Sequence, residues 1–236
     1  MRFLILAVLI GILLSVASVA FAADIVSVPT ANMMKAGQTD LAAYYFFLDL
    51  DEGDAEFVRV QTLYVGLTDK LELDLHRYDV DAPGAPSYII PPEILVIANY
   101  RLMAETATHP DLVIGAKDLT ERGDNPAVPH RTSYYLSAAK TLNPPAPGAA
   151  PKLPIWRLHL SIGTEDPSLL GETRHEGLFG GLQVLVTPQI GVVVMHDQRD
   201  LITGITYTPN PKWPTFKAGT FGDHTWVGIN YTFNVH

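Results

Sequence analysis

Beyond residue 22 the chain alternates. In Trp156-Arg157-Leu158-His159-Leu160-Ser161-Ile162, Leu71-Glu72-Leu73-Asp74-Leu75-His76 and Val227-Gly228-Ile229-Asn230-Tyr231-Thr232-Phe233, apolar residues occupy every second position. The intervening ones are small, polar or charged. A period of two belongs to a β-strand whose faces meet different surroundings. Few windows hold apolar residues at spacings of three and four, so helices are not expected. The pattern predicts strands near 40–50, 56–66, 71–80, 93–103, 111–118, 132–141, 155–165, 176–187, 190–197, 201–208, 214–221 and 224–235. Their length of about ten residues is what a tilted strand needs to cross a bilayer.

The connections divide into two groups. Gly66-Leu67-Thr68-Asp69-Lys70-Leu71, Val186-Thr187-Pro188-Gln189-Ile190 and Tyr207-Thr208-Pro209-Asn210-Pro211 each place a Thr before a turn-favouring Asp or Pro. In an up-and-down meander all three fall at one end, where an outer-membrane barrel has its short periplasmic turns. The longer connections at 81–92, 119–131 and 166–175 belong to the opposite end. The proline-rich stretch 143–151 is the long exception at the short-turn end.

The first 22 residues read as a cleaved secretory signal. Arg2 supplies the charge, Phe3 to Leu14 is unbroken by polar side chains, and Ala20-Phe21-Ala22 has the small residues a signal peptidase reads. The remainder, 23–236, reads as a single domain, with 23–39 as a periplasmic lead-in. The absence of Cys fits an oxidising compartment and excludes a disulfide framework, a thiol nucleophile and a lipoprotein anchor. With 25 acidic against 16 basic residues, nucleic acid is not an expected partner.

Charged residues make up only 17% of the chain, and the polar strand faces are rich in Gly, Ser, Thr and Asn rather than Lys and Glu. That favours an all-β, transmembrane barrel of outer-membrane type with lipid against its apolar faces over a periplasmic or secreted lipocalin-like barrel binding an apolar ligand. Aromatics near strand ends (Tyr44, Tyr64, Tyr100, Trp156, Tyr207, Trp213, Trp226 and Tyr231) are candidates for two interfacial girdles. Glu72, Asp74, His76, Arg101, Arg157 and His159 are candidates for the lumen lining, as a plug or a narrow conduit.

Several segments resemble the YjbH-type family: Pro29-Thr30-Ala31-Asn32-Met33-Met34-Lys35-Ala36-Gly37, Gly115-Ala116-Lys117-Asp118 followed by Ser133-Tyr134-Tyr135-Leu136-Ser137-Ala138-Ala139-Lys140, and the Gly-Leu-Thr-Asp hairpin. The resemblance implies a bacterial outer-membrane β-barrel associated with exopolysaccharide production. The expected partners are outer-membrane lipid, the barrel-assembly machinery, and a polysaccharide or small solute.

Reactive constellations are sparse. His159 and Ser161, with Glu172 further on, suggest a lipid A deacylase-like hydrolase, since imidazole could take the hydroxyl proton. Their parity, shared with Arg157, points them into a lumen instead, and no catalytic role is expected. The acidic hairpin at 49–56 reads as a solvated turn rather than a calcium loop. Arg122-Gly123-Asp124 carries no assigned role, and neither a metal nor a cofactor is expected.

Overall fold

The computed structural model describes residues 28–49, 55–81, 93–119, 132–144, 152–164, 166–167 and 173–235. Seven strands come first: β1 (Gln38–Asp49), β2 (Ala55–Gly66), β3 (Leu71–Asp81), β4 (Glu93–Met103), β5 (Asp111–Lys117), β6 (Ser133–Thr141) and β7 (Ile155–Gly163). A two-residue pair, β8 (Asp166–Pro167) and β9 (Thr173–Arg174), interrupts the next connection as a small separate sheet that alternation could not announce. Five strands complete the wall: β10 (Gly177–Leu185), β11 (Ile190–His196), β12 (Leu201–Tyr207), β13 (Thr215–Phe221) and β14 (His224–Asn234).

Apart from β8 and β9, each strand pairs antiparallel with its chain neighbours, and β1 pairs with β14 from Gln38↔Asn234 to Phe47↔Thr225. The result is a closed, up-and-down barrel of twelve strands, with boundaries close to those the alternation predicts. Following the register pairs once around returns to β1 roughly 14 residues from the start, a stagger that tilts the strands by about 40°.

The turns explain the alignment of the strands at one end. Thr68 Oγ1 accepts hydrogen bonds from the Lys70 and Leu71 amides at 3.1 and 2.9 Å. Thr187 Oγ1 does the same for Gln189 and Ile190 at 3.2 and 3.0 Å. In the third turn Asn210 takes over, its Oδ1 accepting from Lys212 N at 2.9 Å, while Thr208 meets Thr215. At the opposite end Gly222, with φ of 55°, supplies the left-handed residue in the two-residue turn between β13 and β14.

Parity assigns the two faces. On β7 the side chains of Arg157, His159 and Ser161 are buried inside, while Leu158, Leu160 and Ile162 stand about half exposed outside. The outer wall is apolar through its middle, with Leu136, Leu160, Val194, Ile205 and Val227 among its exposed residues. Tyr100, Trp156, Tyr207, Trp213, Phe216 and Tyr231 stand outward at the short-turn end, and Tyr45, Phe47 and Tyr134 near the other end.

Three aromatics expected in the girdles lie elsewhere. Tyr44, Tyr64 and Trp226 point inward and are at most 2% exposed. Each shares its parity with polar or small inward residues: Tyr44 with Asp40 and Ala42, Tyr64 with Thr62, and Trp226 with Asn230. Tyr44 and Trp226 meet edge to face at 6.3 Å and belong to an apolar cluster with Val60, Tyr78, Met195 and Ile202 in the half of the lumen away from the short turns.

Two inward aromatics need glycine beside them. Gly115 is the register partner of Tyr135, and Gly228 that of Tyr44. A Cβ at either glycine would overlap the partner's ring, so the missing side chain lets each ring lie against the neighbouring strand. Replacing Gly115 by Val is expected to displace Tyr135 and to destabilise the barrel by about 1–3 kcal/mol. A fall in the urea unfolding midpoint of the purified protein would register this, and an unchanged midpoint would refute the packing assignment.

Candidate functional site

The lumen gathers the charged side chains, and it also contains the start of the described chain. Of the segment 23–39, the stretch from Val28 to Met34 lies inside the barrel, and β1 begins at Gln38. Val28 and Ala31 are fully buried. The segment has no strand partner, so side chains of the wall must satisfy its backbone and polar groups. Ser161 Oγ donates to the Pro29 carbonyl at 3.2 Å, and Ser137 Oγ is 3.5 Å from the same oxygen. The Met34 amide donates to Glu72 Oε2, and Asn32 Nδ2 to Gln183 Oε1 at 3.3 Å.

Arg157 binds this segment to the wall. It sits on β7 opposite Thr141 of β6 and Gln183 of β10, so its guanidinium enters the lumen between three strands. Nε donates to Asn32 Oδ1 at 2.8 Å. One terminal nitrogen reaches Glu105 Oε2 at 2.5 Å and Thr141 Oγ1 at 2.9 Å, and the other reaches Asp111 Oδ2 at 3.1 Å. Arg101 Nε lies 3.2 Å from the other Asp111 oxygen. Lys140 Nζ adds a third cation 3.6 Å from Glu105 Oε1, so both carboxylates are paired with positive charge, as buried ions require. Burial opposes ionisation of Glu105, but the Thr141 amide and hydroxyl and the Arg157 guanidinium outweigh it and hold its carboxyl below the usual range.

A second network lies on β3 and β4. Asn99 Nδ2 donates to both Glu72 Oε1 and Asp74 Oδ2 at 2.9 Å, and Tyr135 OH donates to Asn99 Oδ1. His76 is also inside, edge to face with Tyr64 at 5.4 Å. On β14, Asn230 and Thr232 each donate to Asp40 Oδ2 at 2.8 Å, while Lys217 Nζ donates to Tyr44 OH at 3.1 Å. No protein-family model and no curated protein matches this chain.

All six lumen candidates therefore point inward, but in different networks. Arg101 and Arg157 meet through Asp111; Glu72 and Asp74 meet through Asn99; His159 pairs with Gln183 at 3.0 Å. A hydrolase would need the Ser161 hydroxyl to donate to His159, whereas Ser161 Oγ donates to Pro29 O at 3.2 Å and lies 2.8 Å from Ser137 Oγ. Glu172, the tip of the acidic hairpin at 50–54 and Arg122-Gly123-Asp124 lie outside the described residues. Parity with Arg101 could have found Asn99, and a strand start opposite polar neighbours could have found Asp111. Asn32 and Glu105 carry no periodic signal, since neither lies in a strand.

Replacing Arg157 by Met removes the Asn32 tether and the most buried cation of the cluster, leaving Glu105 to Lys140 and Asp111 to Arg101 alone. The expected cost is about 3–5 kcal/mol in unfolding free energy, with new protease cleavage within 28–36; unchanged cleavage would refute the tether. Because the Glu105 pKa is depressed in the folded state, its contribution is full above the ordinary carboxylate pKa and is lost as pH falls through the folded value. Glu105→Gln should flatten the acid limb of the stability profile, read as unfolding midpoint against pH, and an unaltered limb would remove Glu105 from the network.

Proposed function

We propose that this protein is an exported, integral outer-membrane β-barrel whose lumen is closed by its own N-terminal segment, with a non-enzymatic role in the cell envelope. The observation that carries this reading is the outer wall: aliphatic side chains stand exposed along its middle, while the charged and hydrogen-bonding residues of strands such as β7 are buried inside, beside an apolar cluster in the half away from the short turns. Soluble monomers rarely expose contiguous apolar patches beyond a few hundred Å². A lipocalin-like barrel would place its polar face outward. Aromatics near both ends of the outer wall suit the two bilayer interfaces.

Lipid would then be the primary partner, and the barrel-assembly machinery the route of insertion. A place in exopolysaccharide production rests on the YjbH-type resemblance. In that role the segment 28–34 would have to leave the lumen for a chain or solute to pass, because Asn32 and Met34 engage Arg157 and Glu72 in the turn-end half and Pro29 engages Ser161 beyond it. The tests are direct. The protein should fractionate with the outer membrane and need detergent for extraction; recovery in the soluble periplasm would defeat the reading. In planar bilayers the intact barrel should be silent and a variant lacking residues 28–34 should conduct in steps. Steady conductance by the intact protein would refute the closed lumen.

A further inference from the structure

A groove of about 540 Å³ crosses the outer wall over β14, β1, β2 and β3. Its floor is Ala43, a small residue with the register partners Gln61 and Ile229 on either side. Leu63 and Leu75 continue the apolar lining, and Gln61 and Arg77, partners across β2 and β3, form its polar end. Arg59, further towards the same end, is matched with Asp79 at 3.4 Å. Arg77 is exposed, and among the described residues it forms no hydrogen bond or ion pair.

An unmatched guanidinium beside an apolar wall is costly in a membrane unless it lies at the headgroup level and meets an anion there. The residues below Arg77 on the same face of β3 are Leu75, Leu73 and Leu71, and the one above is Asp79, so Arg77 marks the step from apolar to polar wall. That step lies towards the end carrying the connection after Asp81, the end that faces outward in an outer-membrane barrel with short periplasmic turns. We infer that this groove holds an acyl chain of lipid A, with the lipid's phosphate on Arg77 and Gln61 beside it. The inference rests on the membrane reading above. It assigns the apolar slot to the hydrocarbon and the unmatched positive charge to the phosphate, a charge-assisted contact that a guanidinium makes in bidentate form.

The test is lipid analysis of protein extracted from outer membranes in mild detergent, with bound lipid A and glycerophospholipid quantified separately by mass spectrometry. Arg77→Gln should reduce retained lipid A about tenfold, Arg77→Lys should retain part of it, and Ala43→Phe should reduce it by filling the floor. All three should keep the heat-modifiable mobility of a folded barrel. Unchanged lipid A in Arg77→Gln and Ala43→Phe, or glycerophospholipid retained in its place, would overturn the lipid A site while leaving the membrane reading intact. Recovery of the wild-type protein without detergent would instead overturn the membrane reading and the site with it.

Discussion

The pairing of β1 with β14 divides this molecule into an inside and an outside. Without it the sheet would end in two rows of unpaired amides and carbonyls, and neither face would be sealed from the other. With it every strand of the wall has two partners, and each of their side chains is committed by parity to a confined lumen or to the outer wall. The ten register pairs along that closure match Asp40 to Thr232 and Tyr44 to Gly228, so closure also builds the Asp40 network and seats the Tyr44 ring.

A closed wall of twelve strands encloses more space than its short inward residues fill, and the two halves of the lumen meet that demand differently. Away from the short turns, large side chains such as Trp226, Tyr44, Met195 and Ile202 pack as an ordinary core. Towards the turns the lining is charged, and the N-terminal segment runs into that space, with Val28 in the apolar cluster and Asn32 and Met34 among the charged groups. This works because the charged groups are paired or bridged and the hydrogen bonds are shared. Arg157 serves four acceptors, and Asn99 bridges two carboxylates that would otherwise repel each other. Removing Arg157 or Asn99 would therefore disturb every group it joins.

Legibility in the sequence differed sharply between kinds of feature. Strand number and placement were readable because alternation is a local property, visible within seven residues of β7. Inward placement of Glu72, Asp74, His76, Arg157 and His159 came from the same parity. The aromatics were harder. In Tyr44-Tyr45-Phe46-Phe47 both faces of β1 are aromatic, so residue type at a strand end gives no direction, and only Ala42 and Asp40, two and four residues before Tyr44, reveal which rings turn in. The N-terminal segment was invisible as a lumen element because it repeats no period; its partners, Glu72, Arg157, Ser161 and Gln183, are between 38 and 151 residues away along the chain.

The sequence by itself determined the period of two, the turn chemistry of Thr68 and Thr187, and the low charge of one face of each strand. Each depends only on neighbours along the chain. Only the tertiary structure decided which networks the inward groups join, that Asn32 completes the Arg157 fork, and that Arg77 stands unmatched among the described residues at the end of an outer groove. Those outcomes depend on the stagger of twelve tilted strands and on what fills the space they enclose, and both are set by closure of the wall rather than by any one segment.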